Sequence, residues 1–395
     1  MARRLSQDEL MLMSHQERLD YFKNTVIIAH KHAKIVLDAL FDLIKNPGES
    51  NIIYVPGPTG VGKTTMIYRL VDKILAFYKE TMETDPGFIP VLYVEAKAPS
   101  VGNFQFKSLF RRILESAREP LIQYKISSTG EKTSEEVFEI AARSCLKNRK
   151  TKVCIIDEGH HIGKISGGRK LLDHLEALKS FIDSTDTIFI FVGTYYLTNF
   201  IQVSGQLSRR SHVIHFPRYR ANYFSETSKD IGVEALTRED SQPSWSEYDD
   251  FSLIADYFAE RIPIENTPDF SGLHELLYAR SVGCVGILKG WLYDALKLAQ
   301  KNGDKTISKS QLEETALEFQ RAIGIAREAL EGEEIFSSLM QGESELYSLL
   351  GVAVNSDSNA EPGKMPSNKQ PAREKTKKQP GKRKPTRDVV GGKAM

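Results

Sequence analysis

Eight consecutive residues, Gly57-Pro58-Thr59-Gly60-Val61-Gly62-Lys63-Thr64, have the types and spacing of a phosphate-binding loop. Glycines there let successive backbone N–H groups turn inward around phosphate oxygens. The Lys can reach the β- and γ-phosphates, and the hydroxyl that follows can hold Mg²⁺. An apolar run at 51–55 reads as a buried strand before the loop, and 65–78 reads as a helix after it. A second cluster complements the first. Val153-Cys154-Ile155-Ile156-Asp157-Glu158 is an apolar strand that ends in two carboxylates. An Asp at such a place helps hold Mg²⁺, and a Glu one residue further on can polarise an attacking water. The expectation is ATP with Mg²⁺, held by Gly57 to Thr64, by Thr65 and by Asp157. Thr64 and Asp157 are the metal ligands, with Lys63 and Glu158 in catalytic roles.

These residues need a frame. Strand-like runs recur at 51–55, 89–96, 151–156, 187–193 and 211–216, with helical candidates at 65–80, 104–118, 134–147 and 169–183 between them. Strands alternating with helices imply an α/β fold, a five-stranded parallel sheet covered on both faces, with ligands at the C-terminal strand ends. The strand at 89–96 is expected to separate the loop strand from the acidic strand, as in the ATP-hydrolysing division of such proteins. The fourth strand ends in Gly193-Thr194, where a polar side chain can meet the attacking water or the γ-phosphate. Arg209 and Arg210, just before the fifth strand, could reach a phosphate held by a neighbouring subunit.

Outside this frame, residues 1–48 read as a helical region, with Ile27, Ile28, Val36, Leu37, Leu40, Phe41 and Leu43 at helical spacing. The nucleotide-binding core is expected over 49–220, a loop-rich connection over 221–250, and a smaller helical lid domain over 251–350. Its helices are expected near 251–260, 272–279, 285–300 and 310–325. Residues 351–395 read as a disordered basic tail. From Ala353 to Met395 there are eleven Lys or Arg against four Asp or Glu, although the whole chain of 395 residues carries only +1. The three cysteines, Cys145, Cys154 and Cys284, form no zinc or disulfide pattern. His160 and His161 are adjacent and are expected to point apart, which argues against zinc. No apolar run suits a membrane span and the start is unlike a signal peptide, so a cytoplasmic protein is expected.

Several stretches together resemble a known family. Asp157-Glu158-Gly159-His160-His161, then 175–181, then Phe191-Val192-Gly193-Thr194-Tyr195-Tyr196-Leu197, Gln206-Leu207-Ser208-Arg209-Arg210-Ser211 and 283–292 are similar to the TnsC/TniB regulators of cut-and-paste transposons, which are AAA+ ATPases. The likeness spans roughly residues 20–300. It implies a protein that assembles as an ATP-bound homo-oligomeric ring or helical filament on double-stranded DNA. It also implies that the assembly links a target-selecting protein (TniQ- or TnsD-like) to transposase subunits, and that ATP hydrolysis disassembles it. Under the resemblance Thr194 is the sensor residue, and Arg209 or Arg210 is the arginine finger. A cis-acting Arg in the lid has no clear counterpart, with only Arg280 and Lys289 flanking the Gly283 to Gly286 turn.

A ring around DNA would face phosphates with cations and without base reading. Lys97, Lys107, Arg111 and Lys150 are the leading candidates. Arg112, Lys147, Arg149, Lys164, Arg169 and Lys170 lie close to them in sequence. The basic tail could bind DNA or an acidic partner surface. Asp157-Glu158-Gly159-His160 also has the helicase D-E-x-H form, but a helicase needs a second ATPase lobe, which the helical residues after 250 cannot build. The alternatives kept are a scaffold or signalling ATPase of the same class, or a DNA-dependent ATPase that acts outside transposition, as helicase loaders do.

Overall fold

Five strands pair in parallel: β1 (Ile52–Pro56), β2 (Val91–Glu95), β3 (Val153–Asp157), β4 (Ile188–Gly193) and β5 (Ser211–Val213). The computed structural model describes residues 7–99, 103–119, 134–163, 168–199, 211–221, 247–340 and 350. In space the strands run β2-β3-β4-β1-β5. Every residue of β1, β3 and β4 is buried, which is why these strands read as continuous apolar runs. The strand that separates β1 from β3 is therefore β4, and the strand at 89–96 lies at the edge. Order along the chain does not fix order across a sheet when every connection is a crossover. Register then gathers the chemistry at one rim: Glu95 pairs with Asp157, and Pro56 with Gly193.

The two faces of the sheet are covered by different helices, and residues alternate between them with the strand period of two. Ile52, Tyr54, Cys154, Ile156, Phe189 and Phe191 join one cluster. Its other half comes from α6 (Phe106–Ser116), α7 (Glu135–Asn148) and α8 (Gly168–Asp183). Ile53, Val55, Ile155, Ile190 and Val192 join the opposite cluster, covered by α3 (Lys31–Lys45) and α4 (Lys63–Phe77). Between α4 and β2 lies the short α5 (Lys79–Thr84).

The N-terminal helical region is three helices: α1 (Gln7–Met11), α2 (His15–Asn24) and α3. Ser14 starts α2 with a reciprocal cap, its oxygen accepting from the Glu17 N–H while the Glu17 carboxylate takes the Ser14 N–H. His30 caps α3. The break matters because the helices serve different cores. α2 sends Leu19 and Phe22 into a third cluster, while α3 sends Val36, Leu40 and Ile44 under the sheet.

That third cluster organises the later helices: α9 (Glu247–Ala259), α10 (His274–Ser281), α11 (Val285–Asn302) and α12 (Lys309–Thr315). Phe258, Trp291, Leu292, Leu296 and Leu312 are buried within it, and the Trp291 indole donates to the Leu312 carbonyl at 2.9 Å. The helix expected at 310–325 is two helices, because Ala316 is extended; α13 (Phe319–Met340) begins beyond it. Residues 222–246 and 351–395, including the basic tail, lie outside the described residues.

A strap from 214 to 221 ties these parts together. The Phe216 N–H donates to Pro56, and the Tyr219 N–H donates to the Gly283 carbonyl at 3.0 Å. The Tyr219 ring stacks on His32 at 4.2 Å, and its hydroxyl lies 3.1 Å from His30 Nδ1. Burial, then the neighbouring His32, pushes the His30 pKa down to about 4, so His30 is neutral in this contact. Gly283 has φ +68°, and a Cβ there would overlap the Tyr219 carbonyl oxygen. Gly283→Ala is expected to cost about 2 kcal/mol or more of unfolding free energy, from strain and overlap together. Urea unfolding that leaves the midpoint unmoved would contradict this role.

Candidate active site

The phosphate loop leaves β1 at Pro56 and enters α4 at Lys63. Gly62 precedes α4 with φ +111° and Gly60 has φ +77°, which other residues rarely adopt. The first N–H groups of α4 lack partners inside the helix, so its positive end is available to an anion. Both flanks of the loop are pressed by backbone. A Cβ on Gly57 would overlap the Phe216 carbonyl oxygen, and a Cβ on Gly286 would lie 2.5 Å from the Gly60 carbonyl oxygen. The Ile287 N–H, in the first turn of α11, donates to that same Gly60 carbonyl at 3.2 Å.

Lys63 is buried, and its ammonium donates to the Gly57 and Pro58 carbonyls at 2.9 and 2.8 Å. Burial pulls its pKa down to about 8, against the opposing pull of Glu158 and Asp157. The Thr64 hydroxyl donates to Asp157 Oδ2 at 3.0 Å. Tyr93, on β2, donates to the same oxygen at 3.1 Å; its pKa is raised by burial first and by Asp157 second, so the phenol stays a donor. Glu158 has φ +53°, rare for a residue with a side chain, and its N–H donates to Asp157 Oδ1 at 2.9 Å. His160 Nδ1 lies 3.3 Å from Glu158 Oε2. Gly193 lets His160 in, since a Cβ there would lie 3.0 Å from His160 Nδ1.

A cavity of about 700 Å³ joins these groups. Gly60, Gly62, Lys63, Thr64, Thr65, Glu158 and Thr194 line it, as do His160, Tyr196, Asn199, Gly286 and Glu328. Thr194 Oγ1 is buried and has no hydrogen-bond partner among the described residues, which suits a site meant to be completed by a ligand. Thr64 and Asp157 supply two hard oxygens side by side, the donor chemistry Mg²⁺ prefers. The residues present therefore fit a magnesium nucleoside triphosphate.

Of the residues expected from sequence, Lys63, Thr64, Thr65, Glu158 and Thr194 meet at one cavity, with Asp157 bonded to Thr64 beneath it. Arg209 and Arg210 lie outside the described residues. His160 and His161 do not point apart. Their rings are 4.1 Å apart within one 3₁₀ turn, Gly159–Gly163, and with Glu158 they place one donor atom each within 4.8 Å. Neither lid cation lines the cavity. The Arg280 guanidinium lies over the Phe319 ring at 3.8 Å, and Lys289 donates to the Lys23 carbonyl at 2.7 Å.

The DNA candidates do not form one patch. Lys97 follows the C-terminal end of β2 and is exposed, whereas Lys150 precedes β3 at the other rim and pairs with Asp85 at 2.8 Å. Strands of five residues separate those rims by about 17 Å. Lys107 and Arg111 are on α6, one over the Phe138 ring at 5.7 Å and the other paired with Glu115 at 2.7 Å. Tyr93, Tyr196, Asn199, Gly286 and Glu328 were not expected at the site. Gly286 had a signal in the glycine spacing of the Gly283 to Gly286 turn, and Tyr196 lies in the stretch after β4 that resembles the family.

Strand order, loop and acidic pair define a P-loop ATPase of the AAA+ class. The family model for the bacterial TniB protein matches residues 18–221, more than half of the chain, and the protein belongs to that family. Solved structures of similar fold include the Aeropyrum pernix ORC1 protein in complex with DNA, at 14% identity and a TM-score of 0.49. That match covers 75% of this chain and 68% of the other. The Aeropyrum pernix ORC2 protein in its ADP form is similar at 16% identity and a TM-score of 0.48, over 75% and 71% of the two chains. The Pyrobaculum aerophilum Cdc6p structure gives 15% and 0.48, over 75% and 69%. No curated protein matches the chain. No helix among the described residues is long and apolar enough to cross a membrane.

The low pKa of Lys63 has a thermodynamic signature. Below about pH 8 the amine is protonated in both folded and unfolded chains, and the slope is zero. Between about 8 and the ordinary 10.5 the unfolded chain binds the extra proton, so stability rises with pH. The rise over this window is expected to reach about 3 kcal/mol, read as wild type minus Lys63→Met in nucleotide-free denaturation. Parallel pH profiles for the two proteins would refute the assignment.

Proposed function

We propose that this protein binds and hydrolyses ATP with Mg²⁺ and that the ATP-bound form assembles cooperatively on double-stranded DNA. In this reading it links a target-selecting protein to transposase subunits, and hydrolysis releases the assembly. The observation that carries the nucleotide part is the convergence of Lys63, Thr64, Glu158 and the unpartnered Thr194 hydroxyl on one cavity. The TniB family supports the transposition part.

In this reading the phosphates lie at the N-terminus of α4, Lys63 turns from the loop carbonyls to the β/γ-phosphates, and Thr64 with Asp157 holds the metal. Bound Mg²⁺ supplies charge neutralisation for phosphoryl transfer. Glu158 takes the proton of an attacking water. Its contact with His160 positions the carboxylate, and His160, whose ring is tilted against that of Tyr196 at 6.5 Å, connects the site to the segment after β4. Arg209 or Arg210 reaches the site of a neighbouring subunit. Lys97, Lys107 and Arg111 are proposed to meet DNA phosphates, with Lys150 on the opposite rim as a weaker candidate.

Electron microscopy with duplex DNA and a non-hydrolysable ATP analogue is expected to show rings or filaments, and isolated monomers in every nucleotide state would refute the reading. Glu158→Gln should lower turnover at least about 100-fold while keeping assembly, and Lys63→Ala should abolish assembly. DNA affinity should fall steeply with salt, since phosphate contacts release counterions.

A further inference from the structure

α13 is seated by one face. Ala322, Ala329 and Glu333 are buried along it. A Cβ at Gly332 would overlap the Tyr195 ring, and Phe336 stacks on His215 at 4.4 Å. Glu333, 5% exposed, accepts from Arg218 Nε at 2.9 Å and lies 3.1 Å from Arg220 Nη2. These positions recur at three- and four-residue steps, so they share one side of the helix. No residue of α13 belongs to any of the three apolar clusters found among the described residues. The seat is made of small side chains, one ring stack, one charged clasp and, at the first residue, the Phe319 ring under the Arg280 guanidinium. A helix held in this way can detach without opening a core.

A different residue of the same helix faces the chemistry. Glu328 lines the cavity with Lys63, Thr64, Glu158 and Thr194. A triphosphate entering that cavity brings several negative charges against two carboxylates. Glu158 follows directly on β3 and its carboxylate is held beside His160. Glu328 is carried by an element that can detach.

The geometry points to Glu328 as a phosphate-reading residue: a nucleoside triphosphate in the cavity repels its carboxylate and unseats α13, and a seated α13 weakens triphosphate binding in return. This inference rests on the nucleotide reading above. The two effects are one coupling free energy and must be equal in size. Loss of the terminal phosphate removes charge from the cavity and lets the helix reseat, so α13 would report the state of the nucleotide to whatever contacts it.

The test uses the full chain, with calorimetry for binding of a slowly hydrolysed ATP analogue or ADP, and hydrogen exchange for α13. In the wild type the analogue should lower amide protection of α13 by roughly tenfold, within the usual 5- to 150-fold range of such couplings, and ADP should lower it less. Glu328→Gln should bind the analogue more tightly by a similar factor and show α13 protection that no longer depends on nucleotide. Glu333→Gln loosens the clasp from outside the cavity and should also tighten analogue binding. Equal or weaker binding by Glu328→Gln, or unchanged α13 protection in a wild type that calorimetry shows to be occupied, would overturn the proposal. A wild type that binds neither nucleotide fails the nucleotide reading itself, and calorimetry alone reads that outcome.

Discussion

The phosphate loop is shaped by backbone pressing on backbone from two directions. The carbonyl of Phe216 bears on Gly57, and the start of α11 bears on Gly60 through Gly286 and the Ile287 N–H. Contacts this close exist only because no Cβ intervenes. They tie the loop to the strap after β5 on one side and to the later helices on the other. The strap in turn binds those helices through Tyr219 and Gly283. The octapeptide supplies the donors, but its neighbours hold them in shape.

Charge gives the site its second constraint. Lys63 is buried among Asp157, Glu158 and the more distant Glu328, and is nevertheless easier to deprotonate than a free lysine, because burial outweighs their attraction. Its ammonium is stabilised by two loop carbonyls, groups that a phosphate oxygen can replace. Asp157 is more firmly committed, accepting from Thr64, Tyr93 and the Glu158 N–H. The site therefore combines one rigid carboxylate, one positioned by a histidine, and one on a separable helix.

The parts of this arrangement legible in the sequence are those encoded locally. The loop, the acidic strand end and the five strands carry their own signals in glycine spacing and apolar runs. The strand order does not, and the edge position of β2 came from pairing that no local pattern specifies. The break between α2 and α3 was hidden because Ile27 and Ile28, which lie within it, continue the apolar spacing of α3, although the two helices serve different cores. Tyr93 and Glu328 reach the site from elements whose sequences are ordinary. Tyr93 is an ordinary member of an edge strand, and Glu328 is one of three exposed glutamates on a long helix. The closeness of His160 and His161 is not legible in sequence, because neighbours in an extended chain diverge whereas a 3₁₀ turn brings their rings together.

Glu158 keeps a left-handed backbone at φ +53° that glycine or asparagine would adopt at lower cost. The backbone alone therefore does not favour a glutamate at this position, and under the proposed function its carboxylate is what the position requires. A descendant released from the need to turn over nucleotide could exchange it for Gly or Asn and relax its backbone while keeping loop, lid and sheet intact. Under the proposed function, the route from a switch to a permanently assembled scaffold would be a single step downhill in backbone conformational energy.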